Sequence, residues 1–440
     1  MGNIEKNTDK HSACSRRTPW VLPVKPKRTA IPGRHTSIRA NRYICSPILT
    51  EPMVSFDNTE IAFSGKTDKD LRRSYWLFKL VSNPAFVNLG QGMTTFAIKA
   101  RLPIKGIIKA TIFKQFVGGE DIHECAKTIA ELGKYHIGTI LDYSVEGAET
   151  EAAFDACTEE TLETIHLAEK DKNIPFSVFK VTGLARLGLL EKVSSGTELT
   201  AAEKSEYELV KQRVSTICKR AHYAGVPVLI DAEESWIQEA VDSLANSMMA
   251  QFNKERPVVY NTFQLYRKDR LNYLKQSYSL AETGAYFLGA KLVRGAYMEK
   301  ERARAKEKGY PDPIQPSKEA TDNDYNEALK FCIEKIGRIG LCAGTHNEQS
   351  SLFLLQLLKD NHISENHKHV YFSQLLGMSD HISFNLAKAG YNVAKYVPYG
   401  PVKEVLPYLI RRAQENTSVK GQTGRELSLI IKEKQRRSRK

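Results

Sequence analysis

The chain has 440 residues, of which 41% are hydrophobic and 26% are charged, and this is the composition of a globular protein with one large or two smaller domains. It has no apolar run of about 18 residues, so the sequence predicts no membrane-spanning helix. The formal net charge is +13, but the first 52 residues supply +7 of it. The rest of the chain lacks the basic, aromatic-rich runs that would predict nucleic-acid binding.

The first segment, residues 1–55, is rich in Pro, Arg and Ser and shows no helical periodicity. We expect it to be a disordered basic extension. Its charge bias is typical of a mitochondrial transit peptide, although its prolines oppose an amphipathic helix. An untranslated upstream extension, with Met53 as the true start, is the alternative interpretation.

The next segment, residues 56–135, predicts an N-terminal α-helical arm. Its clearest helix is DKDLRRSYWLFKLVSNP, which begins with acidic residues and ends before Pro84. We expect the apolar face of this helix to consist of Leu71, Tyr75, Phe78 and Leu80.

Residues 136–425 alternate short apolar runs with longer helical patterns. Runs that are apolar almost throughout are typical of strands covered on both faces, as in parallel sheets. A doubly wound sheet is the alternative, but the GxGxxG turn that usually follows its first strand is missing. We therefore predict a (β/α)8 TIM barrel. The eight predicted strands lie in IGTILDYS (137–144), FSVFKVTG (176–183), VPVLIDAEE (226–234), VVYNTFQLY (258–266), AYFLGAKLVRGAY (285–297), GLCAGTHN (340–347), HVYFSQLLG (369–377) and NVAKYVPYG (392–400).

Each of these runs starts apolar and ends polar. In a barrel the carboxyl ends of the strands meet at one mouth, where the active site is built. Three of the polar residues also have a structural interpretation: Asp142 as the cap of the next helix, Asp231 as a helix start and His346 as a satisfied core histidine. We prefer the capping interpretation for Asp142 and assign it no site role. The strand-end residues are Asp142, Lys180, Asp231, Gln264, Lys291, Arg294, His346, Gln374 and Tyr396.

The predicted mouth has more cations than carboxylates. Lys180, Lys291 and Arg294 face only Asp231, with a single histidine, so we predict no metal site. A GxSxG nucleophile motif is absent. The positive charge favours a phosphorylated cofactor or a substrate carboxylate. Lysines at strand ends also suit an aldolase or isomerase that forms a Schiff base, which is the alternative class of enzyme.

Two further features follow the last predicted strand. In KEVLPYLIRRAQENTS (403–418), Glu415 lies four residues after Arg411 and three after Arg412, so it can pair with either one. This is a surface ion pair or a guanidinium fork for a carboxylate. The basic C-terminal tail comprises residues 426–440, and its basic cluster KEKQRRSRK (432–440) is expected to be a solvated helix end, or else a contact for anionic lipid.

These motifs together resemble the proline dehydrogenases, the flavin-dependent barrel enzymes of proline catabolism. The resemblance covers about residues 56–437 and is specific because the motifs occur in the family's order on nearly every strand. A eukaryotic-like, monofunctional member is the nearest type. The motifs are FKVTG, LIDAEES, FQLY, KLVRGAY, ATDNDY, THN, FSQLLGM, KYVPYGP and YLIRRAQEN.

The resemblance implies FAD-dependent oxidation of L-proline to Δ1-pyrroline-5-carboxylate, with electrons passed to a membrane quinone. It also implies peripheral membrane association and no nucleic-acid partner. The location that it implies is the cytoplasm or the cytoplasmic face of the inner membrane in a bacterium, or the mitochondrial matrix or inner membrane in a eukaryote. A hydroxyproline dehydrogenase of the same family is the alternative activity.

The resemblance also assigns roles to residues. It makes Asp231, hydrogen-bonded to the tyrosine of the last strand, and Lys291, beside the flavin, the catalytic residues. The substrate-binding residues that it implies are Lys180, Tyr297, Tyr396, Arg411, Arg412 and Glu415. The cofactor-binding residues that it implies are Ala232, Gln264, Lys291, Val293, Arg294, Gly295, Ala296, Thr345, His346 and Gln374.

Two positions depart from the pattern of many bacterial members. Lys291 stands where they have arginine, which keeps the charge and loses the planar fork. Ser317 stands where they have an arginine that contacts the cofactor, which puts that contact in doubt. Tyr396 is the residue of the proline-oxidising members, since members that prefer hydroxyproline tend to have a smaller one.

Overall fold

A computed structural model describes residues 54–81, 105–144, 149–418 and 422–439. The predicted basic extension therefore lies, up to residue 53, outside the described residues. Part of the predicted helical arm, residues 82–104, also lies outside them.

The centre of the protein is a closed barrel of eight parallel strands, in which each strand pairs with the next along the chain and the last pairs with the first. This confirms the predicted (β/α)8 barrel, and each strand lies within one of the eight predicted runs, except that β6 begins one residue earlier, at Ile339. The strands are β1 Ile137–Tyr143, β2 Phe176–Lys180, β3 Val228–Asp231, β4 Val259–Gln264, β5 Leu288–Val293, β6 Ile339–Gly344, β7 Val370–Leu375 and β8 Val393–Tyr399.

Helices surround the barrel and precede it along the chain. The helix that starts at Lys105 contains a π-helical turn, Lys109–Phe113. A 3-10 turn, Val181–Gly183, follows β2. The helices are α1 Thr59–Ala62, α2 Asp68–Val81, α3 Lys105–Ile108, α4 Lys114–Phe116, α5 Cys125–Gly133, α6 Glu151–Lys170, α7 Leu187–Ser194, α8 Ala201–Ala224, α9 Ser235–Phe252, α10 Arg270–Thr283, α11 Met298–Lys308, α12 Lys318–Glu334, α13 Glu348–Asp360, α14 Asp380–Lys388, α15 Val402–Ser418 and α16 Gln422–Ser438.

Side chains fill the barrel interior near the amino-terminal ends of the strands. Alternate residues of a strand point to opposite faces, so one set from each strand enters the interior. There the rings of Phe176 and Tyr260 meet edge to face, with centroids 5.5 Å apart. Gly340 makes room for this layer, because a Cβ at that position would lie 2.3 Å from the Tyr260 hydroxyl. The packed floor leaves the carboxyl ends of the strands as the place for a site.

A lysine from β8 lies in the opposite direction, between the barrel and the helices. Lys395 is fully buried, and its Nζ lies 2.9 Å from an oxygen of Asp380 at the start of α14. The other oxygen of Asp380 lies 3.0 Å from Nζ of Lys66, between α1 and α2. Burying these charges is tolerated because each has a partner of opposite sign. The network fixes the segment between β7 and α14.

The helix α2 packs through a narrower apolar face than the sequence predicted. Leu71 and Phe78 are buried, as expected, but Leu80 is 50% exposed. The expectation for Leu80 was therefore wrong. Ser74 is buried on the inner face instead and donates a hydrogen bond of 3.0 Å to Gln115. A period of 3.6 residues predicts an apolar residue at this position of the inner face, but Ser74 occupies it and makes a polar contact with the rest of the arm.

The basic tail is an ordered helix rather than a solvated end. In α16, which we call the C-terminal helix, Leu429 and Ile430 are buried in a cluster with side chains of α2. Arg436 pairs with Glu60 of α1 at 2.9 Å. Arg437 pairs with Asp68 of α2, also at 2.9 Å. The prediction of a solvated end was therefore wrong for these two arginines, because acidic residues that are distant in sequence lie beside them.

Candidate active site

Five polar side chains meet at the mouth of the barrel. Asp231, at the end of β3, accepts hydrogen bonds from Nζ of Lys291 at 2.5 Å and from the hydroxyl of Tyr396. Nζ of Lys180 lies 3.7 Å from the same carboxylate and donates to Asp142 at 2.8 Å. The site is therefore a network of two lysines, two aspartates and one tyrosine.

The electrostatics of this network depend on Asp231. Burial raises the pKa of this carboxyl, but Lys291 and Lys180 outweigh the burial and lower it overall. Tyr396 has the opposite behaviour, since burial and the charges of Asp142 and Asp231 raise its pKa. Asp231 is therefore held ionised and Tyr396 is held as a hydroxyl donor. Nζ of Lys291 lies 4.6 Å from the centre of the Tyr396 ring, which adds a cation–π contact.

Asp142 belongs to this site, contrary to its interpretation as a helix cap. The cap of the following helix, α6, is Thr150, whose side chain accepts from the amide of Ala153. Asp142 is buried and also accepts from the hydroxyl of Ser144 at 2.7 Å. An aspartate that follows a strand suits both roles, that of a helix cap and that of an inward-facing strand residue. Only the strand register, in which position 142 points into the barrel, distinguishes them.

The second cation of KLVRGAY has its own partners. Arg294 donates 2.5 Å and 2.6 Å hydrogen bonds to Asp322 and Thr345. Its guanidinium lies over the ring of Tyr325, 3.9 Å from the centroid. Burial lowers the pKa of Arg294, against the opposing effect of Tyr325 and Asp322. Ser317 caps α12, the helix that carries Asp322, by accepting from the amide of Ala320.

Two glutamines line the wall between the strand ends. Gln264 is buried and donates to the carbonyl of Glu233 and to the hydroxyl of Tyr266. The Oε1 of Gln264 is buried with no hydrogen-bond donor among the residues described. Gln374 donates to the carbonyl of Thr345 at 3.2 Å. Among the described residues, the Oε1 of Gln264 is thus a buried acceptor that lacks a protein donor.

His346, after β6, is neutral at ordinary pH. Burial and the charges of Lys395 and Arg412 lower its pKa to about 3. Its Nδ1 lies 2.9 Å from Oγ of Ser379, a residue of the β7–α14 connection. Ser379 was absent from the sequence-based site. It lies 33 residues from His346 in the sequence. A serine before a helix is usually interpreted as a helix cap, so the local sequence did not indicate that Ser379 belongs to the site.

The remaining candidates are spread around the same mouth. Gly295, with φ of +82°, leaves open space where a Cβ would stand. Ala232, after β3, and Val293, at the end of β5, are half-buried, Ala296 is exposed, and half-buried Tyr297 occupies the N-cap position of α11. These positions follow β3 or lie at and after the end of β5, on the rim of the mouth.

The predicted substrate clamp lies on α15. Arg412 is buried, with its guanidinium 5.2 Å from the centre of the Tyr408 ring, and Arg411 is half-buried. Glu415 belongs to the same helix, but its side chain is outside the described part of the structure. The expected pairing of Glu415 with the arginines therefore stays a prediction.

The fold and the site define the class of protein: a (β/α)8 barrel whose charged binding site lies at the carboxyl ends of the strands. The family model for proline dehydrogenase matches residues 125–425. The chain belongs to the proline dehydrogenase family.

Curated relatives support this assignment. Proline dehydrogenase 1, mitochondrial, of Dictyostelium discoideum is 37% identical over 76% of this chain and 66% of its own length. The human protein of the same name is 41% identical over 61% of this chain and 45% of its own length. Hydroxyproline dehydrogenase of Xenopus laevis is 32% identical over 89% of this chain and 93% of its own length. The chain thus spans about two thirds or less of the first two relatives.

A solved structure supports the fold. Proline utilization A from Bdellovibrio bacteriovorus, inactivated by N-propargylglycine, superposes with a TM-score of 0.64. The match covers 83% of this chain and 37% of that chain, at 19% sequence identity. At this identity, the likeness concerns the fold alone.

Glu233, next to the site, makes stability depend on pH. Its carboxyl is buried and accepts from the amide and hydroxyl of Thr182. Burial and the charge of Glu234 raise its pKa from 4.5 to about 7. Because the folded-state pKa is the higher one, this stabilising contribution is present below about pH 4.5 and is lost as the pH rises through about 7.

We therefore expect Glu233→Gln to become more stable relative to the wild type as the pH rises from about 5 to about 8, by about 2–3 kcal/mol. Chemical denaturation at both pH values measures this difference. Glu208→Gln, at an exposed position, is the control and should follow the wild-type pH dependence. A Glu233→Gln curve parallel to that of the wild type would contradict the raised pKa.

Proposed function

We propose that this protein oxidises L-proline to Δ1-pyrroline-5-carboxylate with FAD as cofactor, the first step of proline degradation to glutamate. The observation that carries the proposal is the Asp231 network, in which Lys180, Lys291 and Tyr396 converge on one buried carboxylate in a chain of this family. Two ammonium groups and a hydroxyl, balanced by the carboxylates of Asp142 and Asp231, would form a polar floor for a flavin and an amino-acid substrate.

The residues of the mouth fit an FAD. The unsatisfied Oε1 of Gln264 is available to an N–H of a bound ligand, since no donor of the described protein reaches it. Gly295 lets the ligand approach the backbone, because a Cβ there would enter the open space of the site. Arg294 and Thr345, already joined by a hydrogen bond, would hold an anionic group. When bound, FAD supplies the acceptor for the hydride of the substrate.

The chain's own contribution is orientation and charge. Arg411 and Arg412 would bind the carboxylate of proline and fix the position of its ring. Tyr396, tied to Asp231, would form a rigid wall of the pocket. Lys291, in contact with both of these residues, would stabilise negative charge that develops in the site.

Hydroxyproline is the alternative substrate, and the likeness to the Xenopus enzyme keeps it open. Tyr396 favours proline, because its ring, buried and tied to Asp231, would occupy space that an added hydroxyl group needs. Family membership and the flavin-compatible mouth favour an oxidoreductase over the Schiff-base aldolase.

We further propose that electrons pass to a membrane quinone and that the protein binds the membrane peripherally. In the part of the chain that is described, no helix is long and apolar enough to cross a bilayer. The outward face of α2, however, presents Trp76 and Leu80, exposed by 59% and 50%, together with the exposed cations Arg72 and Lys79. Such a face is typical of helices that lie at an anionic bilayer surface. The names of the two proline dehydrogenases favour the mitochondrial location.

We expect the purified protein to bind FAD, to be yellow, and to lose its visible flavin absorption when L-proline is added without oxygen. The same experiment with trans-4-hydroxy-L-proline discriminates between the two substrates, and faster bleaching by L-proline is expected because of Tyr396. Protein that stays colourless after incubation with FAD, or a flavin that neither compound bleaches, would contradict the proposal.

Replacing Arg412 by lysine keeps the charge and removes the planar fork. We expect KM for L-proline to rise by about tenfold with a smaller change in kcat, because the lost contact serves substrate binding before and during the reaction. Steady-state assays with an artificial electron acceptor measure both constants. Arg302→Lys, on α11, is the control, since Arg302 bonds only to the segment near Asp312 among described residues. An unchanged KM would remove Arg412 from the clamp.

The double variant Trp76→Ser/Leu80→Ser should weaken binding to vesicles containing anionic phospholipid by at least about tenfold, because two apolar side chains no longer enter the interface. Sedimentation with the vesicles measures the bound fraction. The matched control is Leu209→Ser/Tyr223→Ser, which removes two exposed apolar side chains from α8. Equal loss in both double variants, or in neither, would refute the assignment of the α2 face.

A further inference from the structure

The connection between β7 and α14 has a backbone that ordinary residues avoid. Gly377 has φ of +76° and Ser379 has φ of +50°. At Gly377 the conformation is inexpensive, and a Cβ there would lie 2.1 Å from the carbonyl of Gln115. A serine in this left-handed region is strained, so the surrounding contacts must hold it there.

The C-terminal helix provides the contact that holds this serine. Glu426 of this helix, 3% exposed, accepts a hydrogen bond from the backbone amide of Ser379. The neighbouring Arg425 pairs with Glu348 at 2.7 Å, in the first turn of α13 and two residues after His346. The dipeptide Arg425–Glu426 thus binds the segments after β6 and after β7 at the same time. Glu426 lies one residue beyond the region that the family model matches.

The hydroxyl of Ser379 does not cap the following helix, although the position of Ser379 before that helix predicts such a cap. A serine that precedes a helix usually accepts a hydrogen bond from an amide of the first turn. Ser379 precedes α14 but makes no such capping bond. Its Oγ instead lies 2.9 Å from Nδ1 of His346. The strained backbone therefore directs this hydroxyl toward the mouth of the barrel.

We propose that Ser379 is a positioning residue for His346, and that Glu426 of the C-terminal helix maintains this role by fixing the backbone of Ser379. The inference rests on the proposed function, since His346 contacts the cofactor only under that proposal. A neutral imidazole whose Nδ1 is bound to a hydroxyl has a fixed ring orientation, which determines what its Nε2 presents to a ligand. The C-terminal helix is thereby part of the cofactor site.

Ser379→Gly separates positioning from stability. Glycine favours the left-handed backbone, so this variant should melt at or above the wild-type temperature while it lacks the hydroxyl. We expect a shifted visible spectrum of the bound flavin and a kcat lowered by about tenfold. KM for L-proline should stay within about twofold, because the arginine clamp is intact. A wild-type spectrum and kcat would overturn the role of Ser379.

Three variants of the C-terminal helix test the second part. Glu426→Ala should reproduce the spectral shift and the lower kcat of Ser379→Gly. Glu426→Gln keeps an acceptor oxygen for the Ser379 amide and should recover most of the kcat that alanine loses. The matched control is Glu433→Ala, which removes another buried carboxylate of this helix, bonded to Arg436 and Arg437. It should lower the melting temperature and leave the spectrum unchanged. Identical behaviour of Glu426→Ala and Glu433→Ala would reduce Glu426 to a structural anchor.

A measurement without cofactor distinguishes failure of this inference from failure of the proposed function. Nitrogen-15 NMR of labelled histidine reports which ring nitrogen carries the proton, and His346→Gln identifies the signal. We expect one tautomer in the wild type and a mixture in Ser379→Gly. An unchanged signal in Ser379→Gly refutes the positioning role, whatever the wild type does with FAD and proline. A changed signal in a protein that does not bind FAD leaves the contact valid and refutes its role in a cofactor site.

Discussion

The site depends on one buried carboxylate with more than one cationic neighbour. Asp231 accepts from Lys291 and Tyr396 and lies 3.7 Å from Lys180. Removing it would leave the ammonium group of Lys291 buried without its countercharge, which costs several kilocalories per mole in proteins, whereas Lys180 would keep its bond to Asp142. The arrangement is possible because the strand register directs these side chains into the barrel at the same level. The barrel geometry therefore brings these charged groups together, and their mutual neutralisation allows them to be buried there.

Much of this could be predicted from the sequence, because a strand that ends in a polar residue carries its own signal. The alternation of eight apolar runs with helical patterns predicted the barrel, and the change from apolar to polar within each run predicted the end of the barrel that bears the candidate site. Asp142 was missed because an aspartate after a strand also suits a helix cap, and only the register decides between them. Leu80 was misassigned because helical periodicity does not indicate that Ser74 bonds to Gln115.

Contacts between segments that are distant in sequence could not be predicted from sequence patterns. Ser379 and His346 lie on separate loops, and the partner of Ser379, Glu426, lies 47 residues further along the chain. Neither Ser379 nor Glu426 belongs to one of the sequence motifs, and both have side chains that are common on surfaces. The basic tail was read as solvated because its acidic partners, Glu60 and Asp68, precede the barrel. Composition shows charges, whereas pairing depends on the fold that brings them together.

The pairing of α1 and α2 with the C-terminal helix also affects the order in which contacts form while the chain is synthesised. Residues near 60 emerge from the ribosome long before Arg436 and Arg437, to which they bind. Eight strands can associate during synthesis, but the segment after β7 lacks its contact with Glu426 until the last helix has left the exit tunnel. A nascent chain halted after β8 would therefore contain a closed barrel with an unfinished rim. Competence for chemistry would therefore arise only after the C-terminal helix has been made.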